Sequence, residues 1–210
     1  MKEITGTVLT LRADVTTDPY VFAYSKHIGQ TYGDSPYMVH VGEVFTIMYE
    51  ALNCLYSDVD PFEDEEMHVY LIAALLHDVV EDCYDDRDEG IREVTALFGL
   101  SVGTAVDYVT DMDAPSREIR KSLFTARMTG ITSEADERFV ALAVKMADRL
   151  ANMKTGLRTG NMRKLTMYLK EMPSFMYLCR GVKHHPLIGS LYARLVDVRE
   201  MAKELTDFEY

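Results

Sequence analysis

His77, Asp78, Glu81 and Asp82 fall within eight residues, Leu75-Leu76-His77-Asp78-Val79-Val80-Glu81-Asp82, whose other members are all apolar. On a continuous helix His77 and Glu81 lie one turn apart, as do Asp78 and Asp82, so all four project from one side. Carboxylates withdrawn from water need a counter-charge. A divalent cation would supply it, and imidazole with carboxylate but no thiolate suits Mn or Fe better than a closed structural zinc site. The competing reading is a salt-bridged helix surface. Leu71, Ile72, Ala73 and Ala74 ahead of the cluster, and Val79 and Val80 inside it, argue against a fully solvated face.

A second segment, residues 139–152, is apolar except for a few positions. Lys145, Asp148, Arg149 and Asn152 follow each other at steps of three, one and three, which makes one narrow polar stripe on a buried helix. Asp148 could simply neutralise Lys145 or Arg149. Two buried helices, each with a single stripe of metal-competent or phosphate-competent groups, are better explained by a cleft that they share.

His77-Asp78 followed by Asp148 resembles the pattern of HD-domain metal-dependent phosphohydrolases, and the closer resemblance is to the hydrolase domain of the RelA/SpoT family and its single-domain small alarmone hydrolases. The blocks run in order: Phe22-Ala23 with Lys26-His27 and Gln30; Pro36-Tyr37-Met38-Val39-His40; residues 73–82; Phe98-Gly99 and Val109-Thr110-Asp111; Arg120-Lys121; and residues 145–153. They span roughly residues 20–170. The resemblance implies an all-α HD-type helical bundle with one metal per chain, usually Mn2+, held by His40, His77, Asp78 and Asp148. It assigns Glu81 and Asp82 to activation of the attacking water and Asn152 and Tyr168 to the nucleotide, while Lys26, Lys121, Lys145 and Arg149, in or beside the matched blocks, are the candidate cations for the substrate's phosphates.

The implied reaction removes pyrophosphate from the 3′ position of guanosine tetra- or pentaphosphate, leaving GDP or GTP. The segment between Gln30 and Pro36, Thr31-Tyr32-Gly33-Asp34-Ser35, lacks the adjacent basic pair that the family places against the nucleotide, and Tyr32 could offer stacking there instead. Two other functions therefore stay open. One is a related hydrolase acting on an adenosine alarmone or the 2′-phosphate of NADPH; the other is a non-catalytic, antitoxin-like protein that neutralises a synthetase by contact.

A net charge of −12 disfavours long nucleic acid as a partner, while a small phosphorylated nucleotide remains admissible where cations cluster. Cys54, Cys83 and Cys179 are odd in number and widely spaced, so neither a disulfide framework nor a cysteine zinc site is expected. No membrane span or signal-peptide core is legible, and a cytoplasmic enzyme is the expectation. The blocks nearly fill the chain, which reads as a stand-alone hydrolase functionally paired with an alarmone synthetase elsewhere, with association into homo-oligomers as the family precedent.

Positioning these residues requires helices, and apolar three-to-four spacing predicts them over about 40–56, 66–83, 90–110, 117–129, 135–154, 161–180 and 187–205. Strand signals are confined to residues 4–17, read as a short hairpin or extended arm within an N-terminal extension, 1–18, of one domain covering 1–210. His184-His185-Pro186 reads as a turn rather than a second metal site.

Overall fold

A computed structural model describes residues 17–56, 59–60 and 64–208. The extended arm expected within residues 1–18 lies almost wholly outside the described residues.

The chain runs α1 (Pro19–Lys26), β1 (Thr31–Tyr32), β2 (Ser35–Pro36), α2 (Tyr37–Leu55), α3 (Glu65–Leu76), α4 (Val79–Cys83), α5 (Arg87–Phe98), α6 (Leu100–Val109), α7 (Arg117–Met128), α8 (Phe139–Thr159), α9 (Met162–Leu178) and α10 (Pro186–Thr206). Short polar side chains set several helix starts. Asp64 accepts the main-chain N–H groups of Glu66 and Met67, Asp86 those of Asp88 and Glu89, and Asn161 that of Lys164. Each satisfies donors that a helix leaves unpaired at its first turn. α10 starts at Pro186 directly after His185, so the histidine pair forms a turn; His185 bonds Glu134 at 2.7 Å.

α8 is the central element. It contacts α2, α3, α6, α9 and α10, and residues 141–153 are buried throughout. Leu142, Met146 and Leu150 are fully buried, each contributing roughly 1.5–3 kcal/mol of hydrophobic stabilisation. The apolar core has two parts. The larger joins α2, α3, α8, α9 and α10; the smaller joins Phe22 and Ala23 of α1 to Val79, Val80, Val94, Val102 and Val106. α2 contributes Val44 to the first and Val41 to the second, and α3 divides likewise between Ala74 and Leu75.

The all-α class stands, with three departures in detail. The helix expected over 66–83 breaks at His77 and Asp78, where Asp78 takes φ −106° and ψ −4° and starts a separate short helix. The helix expected over 90–110 divides at Gly99, whose φ of 89° lies in the region that glycine alone enters without steric cost. Residues 31–36 form an antiparallel two-rung hairpin, with Thr31 opposite Pro36 and Tyr32 opposite Ser35. Its turn carries Gly33 at φ 62°.

Candidate metal centre and adjoining cavity

His40 lies on the first turn of α2, His77 and Asp78 at the α3–α4 break, and Asp148 midway along α8. The break has a geometric result. It aims His77 and Asp78 at the same point, with His77 Nε2 2.9 Å from Asp78 Oδ2. His40 Nε2 lies 3.6 Å from Asp78 Oδ2 and 3.4 Å from Asp148 Oδ1, and His77 Nε2 lies 4.0 Å from Asp148 Oδ1.

These four atoms fit a divalent cation for a reason that proximity alone would not give. The His77 Nδ1 is 2.8 Å from the carbonyl of Ala74, and a carbonyl only accepts, so Nδ1 carries the proton. Nε2 then turns a lone pair toward two carboxylates that are themselves acceptors, and among the described residues it has no hydrogen-bond partner. A buried convergence of acceptors requires a cation or extra protons. Without a metal the protons are drawn in. Burial alone would lower the His40 pKa, but the Asp148 and Asp78 carboxylates reverse this and raise it to about 9. Burial would likewise raise both carboxyls, yet the His77 imidazole holds Asp78, and Lys145 holds Asp148, below the ordinary carboxylate range. His40, His77 and Asp78 form a group able to hold a divalent metal, with Asp148 adjoining it.

A cavity of about 280 Å³ opens beside this group. Glu81 and Asp82 line it from α4. The Glu81 carboxylate accepts the Asp111 main-chain N–H at 3.2 Å. The surrounding protein withdraws solvent from both carboxyls, which raises their pKa values. Cations line the same cavity. Lys145 is buried; burial favours its neutral form, but Asp148, Glu81, Asp78 and Asp111 outweigh that and keep it charged. Lys121 bonds Asp111 at 2.8 Å. Arg149 pairs with Glu171 at 3.0 Å and lies 4.5 Å from the Tyr168 ring centroid. Asn152 donates to Asp148 and accepts from Tyr32.

Of the six residues assigned to the substrate, Lys121, Lys145, Arg149, Asn152 and Tyr168 line the cavity. Lys26 does not. Its ammonium pairs with Glu93 at 3.3 Å and sits over the Tyr84 ring, because α1 faces α4 and α5 at that point. Six wall residues had no assigned role, Tyr37, Asp111, Arg117, Arg120, Lys164 and Met167, and two of them meet Asp78 and Tyr32. Tyr37 donates to Asp78 at 2.7 Å, and Lys164 reaches the Tyr32 hydroxyl from α9 with its ammonium 3.9 Å from that ring's centroid. The charge absent from the 30–36 segment therefore arrives from 132 residues away along the chain. Only the one-turn spacing of Lys164 and Tyr168 on α9 hinted at it.

An all-α bundle with a His-Asp pair at a helix junction, facing a histidine and an aspartate from two other helices, defines an HD-type domain. No protein-family model matches the chain. It is 30% identical over 156 residues to a guanosine-3′,5′-bis(diphosphate) 3′-pyrophosphohydrolase of Vibrio cholerae serotype O1, covering 73% of this chain and 20% of the relative. It is 32% identical over 138 residues to a GTP pyrophosphokinase rsh of Brucella melitensis biotype 1, covering 65% and 16%. With the bifunctional (p)ppGpp synthase/hydrolase SpoT of Escherichia coli K12 it shares 28% identity over 171 residues, covering 79% and 22%. The chain thus spans about a fifth of the length of the curated relatives it matches.

A solved structure described as a metazoan ortholog of SpoT that hydrolyses ppGpp superposes with a TM-score of 0.63 at 25% identity, covering 88% of this chain and 93% of that one. The chain is an HD domain resembling the hydrolase domain of the RelA/SpoT family.

Proposed function

We propose that this protein hydrolyses guanosine tetra- and pentaphosphate, releasing the 3′-pyrophosphate and leaving GDP or GTP. The observation that carries the reading is the convergence of four buried acceptor atoms beside a cavity lined by two carboxylates of raised pKa and several cations. The names of the Vibrio and Escherichia relatives, and the description of the metazoan structure, supply the substrate class.

His40, His77, Asp78 and Asp148 would hold one metal, Mn2+ in this reading. When bound, it supplies Lewis acidity and lowers the pKa of water. The remaining work belongs to side chains. Glu81 and Asp82 take the proton of the attacking water. Water adds to the phosphorus nearest the sugar, the bond from that phosphorus to the 3′-oxygen breaks, and the oxygen leaves with a proton. Lys121, Lys145 and Arg149 meet the charge of the departing pyrophosphate in a setting too dry for water to screen it. Tyr32, Lys164, Asn152 and Tyr168 form the wall available to the nucleoside.

Incubation of the purified protein with guanosine tetraphosphate and Mn2+, with chelator controls and with an adenosine alarmone and NADPH in parallel, tests this. GDP and pyrophosphate should appear only with metal. Cleavage of another nucleotide while guanosine tetraphosphate stays intact would overturn the specificity. Undiminished turnover by the Glu81→Gln, Asp82→Asn double variant would overturn the role given to that pair.

A further inference from the structure

Behind the cavity wall, a buried histidine that does not itself line the cavity connects to both halves of the chemistry. His27 follows the last residue of α1 and is 3% exposed. Its ring lies flat on Tyr37, with centroids 4.5 Å apart and planes at 13°, and Tyr37 donates to Asp78 Oδ2 at 2.7 Å. On its other side, His27 Nδ1 lies 2.7 Å from Gln30 Oε1. The Gln30 amide nitrogen in turn donates to the main-chain carbonyl of Asp82 at 3.1 Å.

The polarity of this relay follows from its end. The Asp82 carbonyl only accepts, so the Gln30 amide must present its NH2 there and its oxygen to His27. His27 therefore donates from Nδ1. Its Nε2 is left bare, buried and without a hydrogen-bond partner among the described residues. Such an orphaned atom has a cost, and moving the proton to Nε2 would instead break the bond to Gln30. The Gln30 carbonyl also accepts the Tyr37 N–H at 3.0 Å, which closes the base of the β1–β2 hairpin.

We propose that His27 and Gln30 act as a unit of positioning residues that hold the carboxyl end of α4, with Glu81 and Asp82, in register with Asp78. The inference rests on the hydrolytic reading given above. α4 has only five residues, too short to hold its own direction; besides the relay its outer end is tied by the Glu81 carboxylate to the Asp111 N–H and by the Cys83 thiol, which lies 3.4 Å from His27 Nδ1 and 3.6 Å from the Gln30 amide nitrogen. Relaxing the relay would let the general-base carboxylates drift while the metal ligands stayed in place, because those are anchored by α2, α3 and α8.

The test is a set of variants read by kinetics, metal binding and imidazole spectra. His27→Phe keeps the ring on Tyr37 but loses the donor; Gln30→Ala loses both bonds. Each should lower kcat by roughly ten- to a hundredfold with KM and Mn2+ affinity within about twofold of wild type. The double variant should be no slower than the slower single, because the two act as one unit. His27→Asn, whose amide can replace the Nδ1–H donor, should recover part of the loss. Losses that multiply, a raised KM with unchanged kcat, or full activity in Gln30→Ala would overturn the proposal. Nitrogen-15 spectra of the wild-type imidazole should show a protonated Nδ1 and a bare Nε2 for His27, with Nδ1 losing its protection in Gln30→Ala. That spectrum needs no substrate. Inactivity of the wild type toward guanosine tetraphosphate would count against the hydrolytic reading alone, whereas an Nε2–H imidazole would overturn the relay.

Discussion

Tyr32 lies flat against His40, with ring centroids 4.6 Å apart and planes at 14°, so a residue of the hairpin covers a residue of the candidate metal group. The same tyrosine hydroxyl joins Asn152 and Lys164. One side chain thus links α2, α8 and α9 across the cavity. Tyr32→Phe keeps the stack and loses the hydroxyl, and should raise the substrate KM about fivefold with metal affinity unchanged, as expected for one lost hydrogen bond of about 1 kcal/mol. Tyr32→Ala should also weaken Mn2+ binding, because it uncovers His40. Paired KM and metal-titration measurements separate the two effects.

Asp148→Asn removes a charge from the metal group while keeping the volume of the side chain. Wild-type protein should gain thermal stability with added Mn2+, by about 2.7 kcal/mol at a hundred times the dissociation constant. The variant should gain little. Melting curves with and without Mn2+, beside the same pair in EDTA, check this.

Turnover should fall on the acid side with an apparent pKa above the ordinary carboxylate range. Desolvation raises both Glu81 and Asp82, although Lys145 pulls the first back down. The sign follows from the role: a base must be ionised to accept a proton, so activity is lost as pH drops through the raised value. Lys145→Met removes the cation that lowers Glu81 and should move the acid limb to higher pH. A pH profile of kcat on both proteins reads the shift.

Gly103 lets α6 approach α5 more closely than any side chain would permit. A Cβ there would come within 2.9 Å of the Thr95 Cβ and 3.0 Å of its Cα. Gly103→Ala should destabilise the fold by roughly 1–3 kcal/mol through overpacking. Urea unfolding followed by circular dichroism measures it, and metal binding by the folded variant should be unchanged, because the α5–α6 contact stabilises the fold without shaping the metal group.

The parts of the site legible in the chain are those whose polarity contradicts their surroundings. His77 and Asp78 stand out among Leu75, Leu76, Val79 and Val80, and the α8 stripe stands out because every residue around it is buried. The break between α3 and α4 was not legible, since Val79 and Val80 continue the apolar rhythm and only Asp78 leaves helical geometry. The division at Gly99 had a signal in the glycine itself. Lys26 misled because a lysine in a matched block looks the same whether it faces a ligand or Glu93, which lies 67 residues further on. Lys164 and Tyr37 received no role for the converse reason: their partners are set by how distant helices pack, of which local spacing carries little trace.

The hairpin that carries Tyr32 has two rungs, and apart from Tyr32 its residues from Thr31 to Pro36 are exposed, whereas Asp148 sits in the most buried stretch of the molecule. The two residues face the same cavity, but their stabilities belong to different scales. Asp148 is held by the packing of the whole bundle, while Tyr32 is held by one small ladder and by its own contacts with His40, Asn152 and Lys164. The cavity therefore has a floor that belongs to the core and a cover that belongs to the surface, and a ligand meets both at once.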